Sequence, residues 1–182
     1  MSTAALEIRP LSAQTLPDFL AFCEGDGFAD HPKWASCYCQ FLYVDHNQVD
    51  WQKRSAAENR AACCARVEGG RMQGYLAYRD GRMVGWCNAA PRNLLDGLAD
   101  EPEPDADRIG SITCFVVALS QRRSGVATTL LDAACAGEVF TSPVPDQMLA
   151  PADCVRTRKG PSPAANATDS SGSVTLCDWS IM

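Results

Sequence analysis

The residues whose types and spacing carry the most chemistry are Arg122-Arg-Ser-Gly-Val-Ala127. They lie between a β-rich run, Ile109 to Val117, and the stretch Thr128 to Ala136, in which Leu130, Leu131 and Ala134 fall at helical spacing. A loop leading from a strand into a helix turns the first N–H groups of that helix outward, at the positive end of its dipole. Such a terminus suits phosphate oxygens. Gly125 allows close approach of the backbone to a ligand, and the two arginines add charge. On these residues alone, an ordinary helix start with surface arginines is an equal reading.

Cys37-Tyr-Cys39, with His31 and His46 nearby, is a second constellation to weigh, this time for zinc. Cys-x-Cys is tighter than the usual ligand spacing, and the two histidines do not share a helical face, so no metal site is expected. The ten cysteines fall below the density of a disulfide-built scaffold. Most are expected as reduced thiols that act as small apolar groups. Of the adjacent Cys63 and Cys64, one should face the core and the other its edge.

The elements that must position these groups read in order along the chain. Leu6 to Leu11 alternates apolar and polar residues as a half-buried strand does. Thr15 to Phe22 offers an N-cap candidate, Pro17 in the first turn, and apolar Leu16, Phe19, Leu20 and Phe22, with Gly25 and Gly27 ending the helix. Residues 28–49 are aromatic and irregular. Ser55-Ala-Ala-Glu58 is a capping box for a second helix that stops at Gly69, with Ala57, Ala61, Cys64 and Ala65 as its apolar line. Tyr75 to Arg79 and Arg82 to Cys87, joined by Asp80-Gly81, form a β-hairpin with a two-residue turn. Residues 93–108 carry six acids and read as a solvated loop rather than a lure for cationic substrates.

Composition bounds the remaining choices. The chain has 182 residues, 46% of them apolar and 21% charged, which is a globular composition with room for one domain. Its formal charge of −6, from 16 Lys+Arg against 22 Asp+Glu, argues against a non-specific nucleic-acid binder. No apolar run is long enough for a membrane helix, and the N-terminus lacks the pattern of a signal peptide. A soluble, cytoplasmic protein is expected.

Taken with the order of elements, Arg122, Gly125 and Ala127 match Arg/Gln-x-x-Gly-x-Gly/Ala, the acetyl-CoA motif of the GNAT N-acetyltransferase superfamily. The sequence resembles that superfamily over residues 5–137. Cys37-Tyr-Cys-Gln-Phe41 and Gly85-Trp-Cys-Asn-Ala-Ala-Pro-Arg92 look like a bacterial branch of it. The resemblance implies an α+β acyl-CoA N-acyltransferase fold, with a central, mixed but mostly antiparallel sheet flanked by helices. It implies acetyl-CoA as co-substrate, with the backbone of Phe115, Val116 and Val117 pairing with the pantetheine arm as an added strand would. Arg122, Arg123, Ser124, Gly125, Val126, Ala127 and Thr128 would cradle the pyrophosphate. An amine would attack the thioester directly, a backbone N–H of the central strand would steady the developing oxyanion, and Tyr38, Trp86 and Asn88 would line the acceptor site. Taken singly, each of those three is also an ordinary core residue. No catalytic base is named by the resemblance.

The segment 138–182, after a domain of residues 1–137, departs from the superfamily. Residues 137–182 contain Pro143, Pro145, Pro151, Pro161 and Pro163 and the run Asp169-Ser-Ser-Gly-Ser173, with no sustained apolar period. The four tyrosines are Tyr38, Tyr43, Tyr75 and Tyr78, so the tyrosine that protonates the departing thiolate in relatives has no counterpart downstream. Either this is a divergent end, or the reading frame changes near Gly137 and leaves a non-native tail; the regularity of Leu131 to Ala136 favours the second. A sheet lacking its last strands would have an open edge, a route to homodimers. The expectation is an N-acetyltransferase for a small-molecule or peptide amine, a cationic one suiting the acidic chain. The competing class is a non-catalytic or degenerate CoA-binding or interaction protein.

Overall fold

The computed structural model describes residues 5–100, 103, 104, 106 and 109–136, together with the backbone of residues 175 and 176. Its spine is a sheet of order β1-β2-β3-β4-β5. Strands β1 (Glu7–Pro10), β2 (Gly74–Arg79), β3 (Arg82–Pro91) and β4 (Gly110–Val117) pair antiparallel with their neighbours. A short β5 (Thr175–Leu176) runs parallel to β4 at Ser111 and Ile112. The fold is therefore mixed α/β with a mostly antiparallel sheet. The expectations for residues 137–182 lie outside the described residues except at β5.

Local sequence explains most of the elements. Asp80 and Gly81 take φ of 51° and 73°, the left-handed pair that a two-residue hairpin turn requires. Helix α1 (Leu16–Cys23) buries Leu16, Phe19, Leu20 and Phe22. Thr15 does not cap it. Its hydroxyl accepts from the Ser12 N–H at 2.9 Å and donates to the Pro10 carbonyl at 3.0 Å, fastening β1 to the helix start. Helix α2 (Ala56–Glu68) has the full capping box, with Ser55 and Glu58 bonding each other's backbone N–H, and ends at Gly69. Residues 26–53 form a chain of 3-10 turns.

The buried face of α2 is not the expected line of Ala57, Ala61, Cys64 and Ala65. Asn59, Cys63 and Val67 face inward instead. Asn59 is buried because its amide has specific partners: it donates to the Ser36 carbonyl at 3.0 Å and accepts from Arg54 Nε at 2.6 Å. A polar residue with both needs met can sit at a core position that an apolar count leaves out. Cys63 is fully buried and Cys64 half-buried, as adjacent helical residues should be.

The sheet separates two cores. On one face α1 and α2 pack with the irregular segment against Leu76, Tyr78, Trp86 and Val116. On the other, helix α3 (Val126–Ala136) places Val126, Leu130 and Ala134 against Tyr75, Ala77, Val84, Cys87 and Ile112. The alternation of a strand gives each face its own residues. Where α3 begins, Gly85 of β3 leaves the room: a β-carbon there would lie 2.7 Å from Val126 Cγ1. Seven cysteines among the described residues are free thiols, the state expected of most, and Cys135 is disulfide-bonded.

Candidate functional site

The site grows from the end of β4. Its pairing with β3 skips Thr113, since Asn88 faces Cys114 while Ala89 faces Ile112, and such a bulge bends a strand. On the other side β5 covers β4 only at Ser111 and Ile112. From Thr113 to Val117 no strand pairs with that edge among the described residues. An open strand edge presents N–H and C=O groups that an extended ligand can pair with. Phe115, Val116 and Val117 lie on this edge.

Beyond β4 the chain makes a 3-10 turn, Leu119–Gln121, and enters α3 through Arg122 to Gly125. Arg123 and Gly125 are both left-handed, with φ of 61° and 85°. Alternating such residues turns successive N–H groups to one side as an anion-binding hollow. A β-carbon built at Gly125 meets nothing within 4 Å, so the space in front of this backbone is open. The first turn bond into α3 runs from Thr129 N–H to the Gly125 carbonyl at 3.0 Å. The N–H groups of Val126, Ala127 and Thr128 precede it and have no acceptor within the helix. The donor set, backbone N–H at a helix terminus beside an open strand edge, fits a pyrophosphate joined to an extended amide arm.

The two arginines of the loop differ in their partners. Arg122 does not turn its guanidinium to the hollow. Nη1 and Nη2 grip Asp30 at 2.6 and 3.1 Å, and Nε donates to the Val117 carbonyl at 3.2 Å. A fork matched to a carboxylate in this way is committed, and Arg122 holds the Asp30 carboxyl below its ordinary value. Arg123 is exposed and makes no hydrogen bond or ion pair among the described residues. Two contributors that the sequence reading missed come from far along the chain: Asp30, and Arg79 at the end of β2, whose Nη1 donates to Gln121 and to Ser124 Oγ. Neither lies near the motif in sequence, and nothing in residue type marks them.

Tyr38, Trp86 and Asn88, expected along an acceptor site, are placed in the core. Trp86 is wholly buried, edge-on to Phe19 at 4.8 Å, and its indole N–H meets Cys39 Sγ at 3.1 Å. Asn88 accepts from the Tyr43 hydroxyl at 3.1 Å, both being buried, and burial raises the Tyr43 pKa. Tyr38 is buried too, with φ of 45°, and donates to Glu24 Oε1 at 2.9 Å. Each is used up by packing and partners inside the fold. Cys39 Sγ lies 3.6 Å from Cys114 Sγ; that contact, with burial, raises the Cys39 pKa. No cluster of three metal-ligating side chains forms among the described residues.

The model of the acetyltransferase (GNAT) family matches residues 33–137, which include β4, the loop and α3. The chain belongs to that family. No curated protein matches it. Among solved structures it is similar to aminoglycoside N-acetyltransferase AAC(6')-Iy in complex with CoA, at 16% identity, covering 73% of this chain and 68% of that one, with a TM-score of 0.45. It is also similar to a ribosomal-protein-alanine N-acetyltransferase from Brucella melitensis biovar Abortus 2308, at 16% identity, 74% and 71% coverage and a TM-score of 0.45. A third is the diaminobutyrate acetyltransferase EctA from Paenibacillus lautus, in complex with its substrate and coenzyme A. There the identity is 15%, the coverage 77% and 61%, and the TM-score 0.42. Among the described residues of this GNAT chain no helix is long and apolar enough to cross a membrane.

Proposed function

We propose that the chain binds acetyl-CoA along the open edge of β4 and at the N-terminus of α3, and passes the acetyl group to an amine. The observation that carries this reading is the left-handed Gly125, with open space at its β-position, beside a strand edge unpaired from Thr113 to Val117 among the described residues. Bound there, acetyl-CoA supplies the thioester carbonyl that a neutral amine attacks. The backbone of Phe115 to Val117 aligns the arm, and the N–H groups of Ser124 to Thr128 hold the diphosphate. N–H groups of the β4 edge near the Thr113 bulge favour negative charge building on the carbonyl oxygen. Holding both reactants in one groove removes much of the entropic barrier. A cationic acceptor suits a chain of net charge −6, and the cytoplasm is the compartment where we place it.

Calorimetric titration of acetyl-CoA, with thermal melts in its presence and absence, tests the cofactor part. Saturable binding that raises the melting temperature supports it. Gly125→Glu, which puts a carboxylate among the N–H groups, should abolish that binding. A folded chain that takes up no acetyl-CoA overturns the reading. The second reading, a CoA-binding protein without catalysis, is favoured by one observation, the lack of any tyrosine beyond Tyr78. Thiol release from acetyl-CoA with a panel of amines separates the two: release supports the transferase, and binding without release supports the non-catalytic protein.

A further inference from the structure

We propose that Arg79 is a positioning residue for the loop that precedes α3, an inference resting on the reading that this loop takes the diphosphate of CoA. Arg79 is the last residue of β2, on the strand face shared by Tyr75 and Ala77, which is the face covered by α3. A single nitrogen, Nη1, donates to the Gln121 side chain and, at 3.1 Å, to Ser124 Oγ. Ser124 Oγ in turn donates to the Gln121 carbonyl at 2.7 Å. One guanidinium therefore ties both ends of the turn from Gln121 to Ser124 to a rigid strand.

The turn needs an outside hold. It sets Arg123, which has a β-carbon, in the left-handed region at φ of 61°. A conformation of that kind persists only where its surroundings enforce it. With its hydroxyl accepting from Arg79 and donating to the Gln121 carbonyl, Ser124 has its side chain committed within the turn, which leaves backbone N–H groups as the donors for a ligand.

Electrostatics points the same way. Arg122 is neutralised by Asp30, whereas Arg79 pairs with no carboxylate among the described residues. Its Nε is buried with no hydrogen-bond partner among the described residues. A buried donor left unmet is costly, and its place in the fold calls for a reason other than stability. Beside the exposed Arg123, the uncompensated positive charge at the loop is thus that of Arg79, not of Arg122.

The test uses the full chain, titrated with CoA and with dephospho-CoA, which keeps the diphosphate and lacks the 3′-phosphate. Arg79→Met should weaken both ligands by the same factor, about tenfold or more, because a loop no longer held in its binding conformation must be ordered on binding. The ligand-free melting temperature should stay unchanged, and Arg79→Lys should recover part of the affinity. Ser124→Ala, at the surface, should weaken both ligands too, and combining it with Arg79→Met should add little. Retained affinity in Arg79→Met overturns the proposal. So does a loss confined to CoA, which would make Arg79 a 3′-phosphate ligand, or a loss that tracks a fallen melting temperature. If Arg79→Met does not fold, Ser124→Ala decides: unchanged affinity overturns the proposal. A wild-type chain that binds neither ligand fails the cofactor reading instead.

Discussion

Gly85→Ala tests how the sheet sets the loop. The added carbon would lie 2.7 Å from Val126 Cγ1 and 3.2 Å from Leu130 Cδ1, while ordinary contact begins at 3.4 Å. Restoring ordinary contact takes a shift of 3.4 − 2.7 = 0.7 Å, and the nearest atom belongs to a stiff β-branched side chain at the helix start. Neither neighbour has free space, since Val126 is 1% and Leu130 0% exposed. Overpacking of this kind costs about 1–3 kcal/mol. Replacing glycine in a strand returns about 0.5–1 kcal/mol of backbone entropy. A net loss of about 1 kcal/mol is expected. Because Val126 directly follows Gly125, the same displacement shifts the N–H groups of the hollow and should weaken acetyl-CoA binding. Val126→Ala alone removes two methyl groups and costs about 1.6 kcal/mol or more. In the double variant it also removes the clashing atom. Urea unfolding of both single variants and the double variant should give a compensating coupling of about 1 kcal/mol. Additivity within about 0.5 kcal/mol, or a Gly85→Ala protein more stable than wild type, would refute the close approach of β3 and α3 as the cause.

Tyr43→Phe removes the donor to a buried Asn88 side chain, and the unmet carbonyl should cost about 1–3 kcal/mol in urea unfolding. Lowering the pH should release Asp30 from Arg122. The folded pKa is depressed from 3.8, so the stabilisation is complete above about pH 3.8 and is lost as pH falls through the lower folded value. A carboxyl titration by NMR should place the Asp30 midpoint below 3.8, and Arg122→Ala should return it towards that value.

What the sequence determined by itself is what neighbours along the chain decide. The Asp80-Gly81 turn, the Ser55 and Glu58 capping box, the run of β4 and the stripe of Leu130 and Ala134 all have their causes within a few residues. The Arg122 to Thr128 motif belongs with them, because a helix terminus is built locally, and together with the order of elements it carried the resemblance to the family. The choice of partner across the fold was left to tertiary structure. Asn59 reads as surface until Ser36 and Arg54 meet its amide. Trp86 and Asn88 share one face of β3, and only packing against α1 and the Tyr43 segment made them core. Arg122 has the type and place of a phosphate ligand, yet Asp30, brought near by the folding of residues 26–37, takes its charge. Arg79 had no motif at all. A guanidinium can pair with any acceptor within reach, and which one comes within reach is a property of the folded sheet.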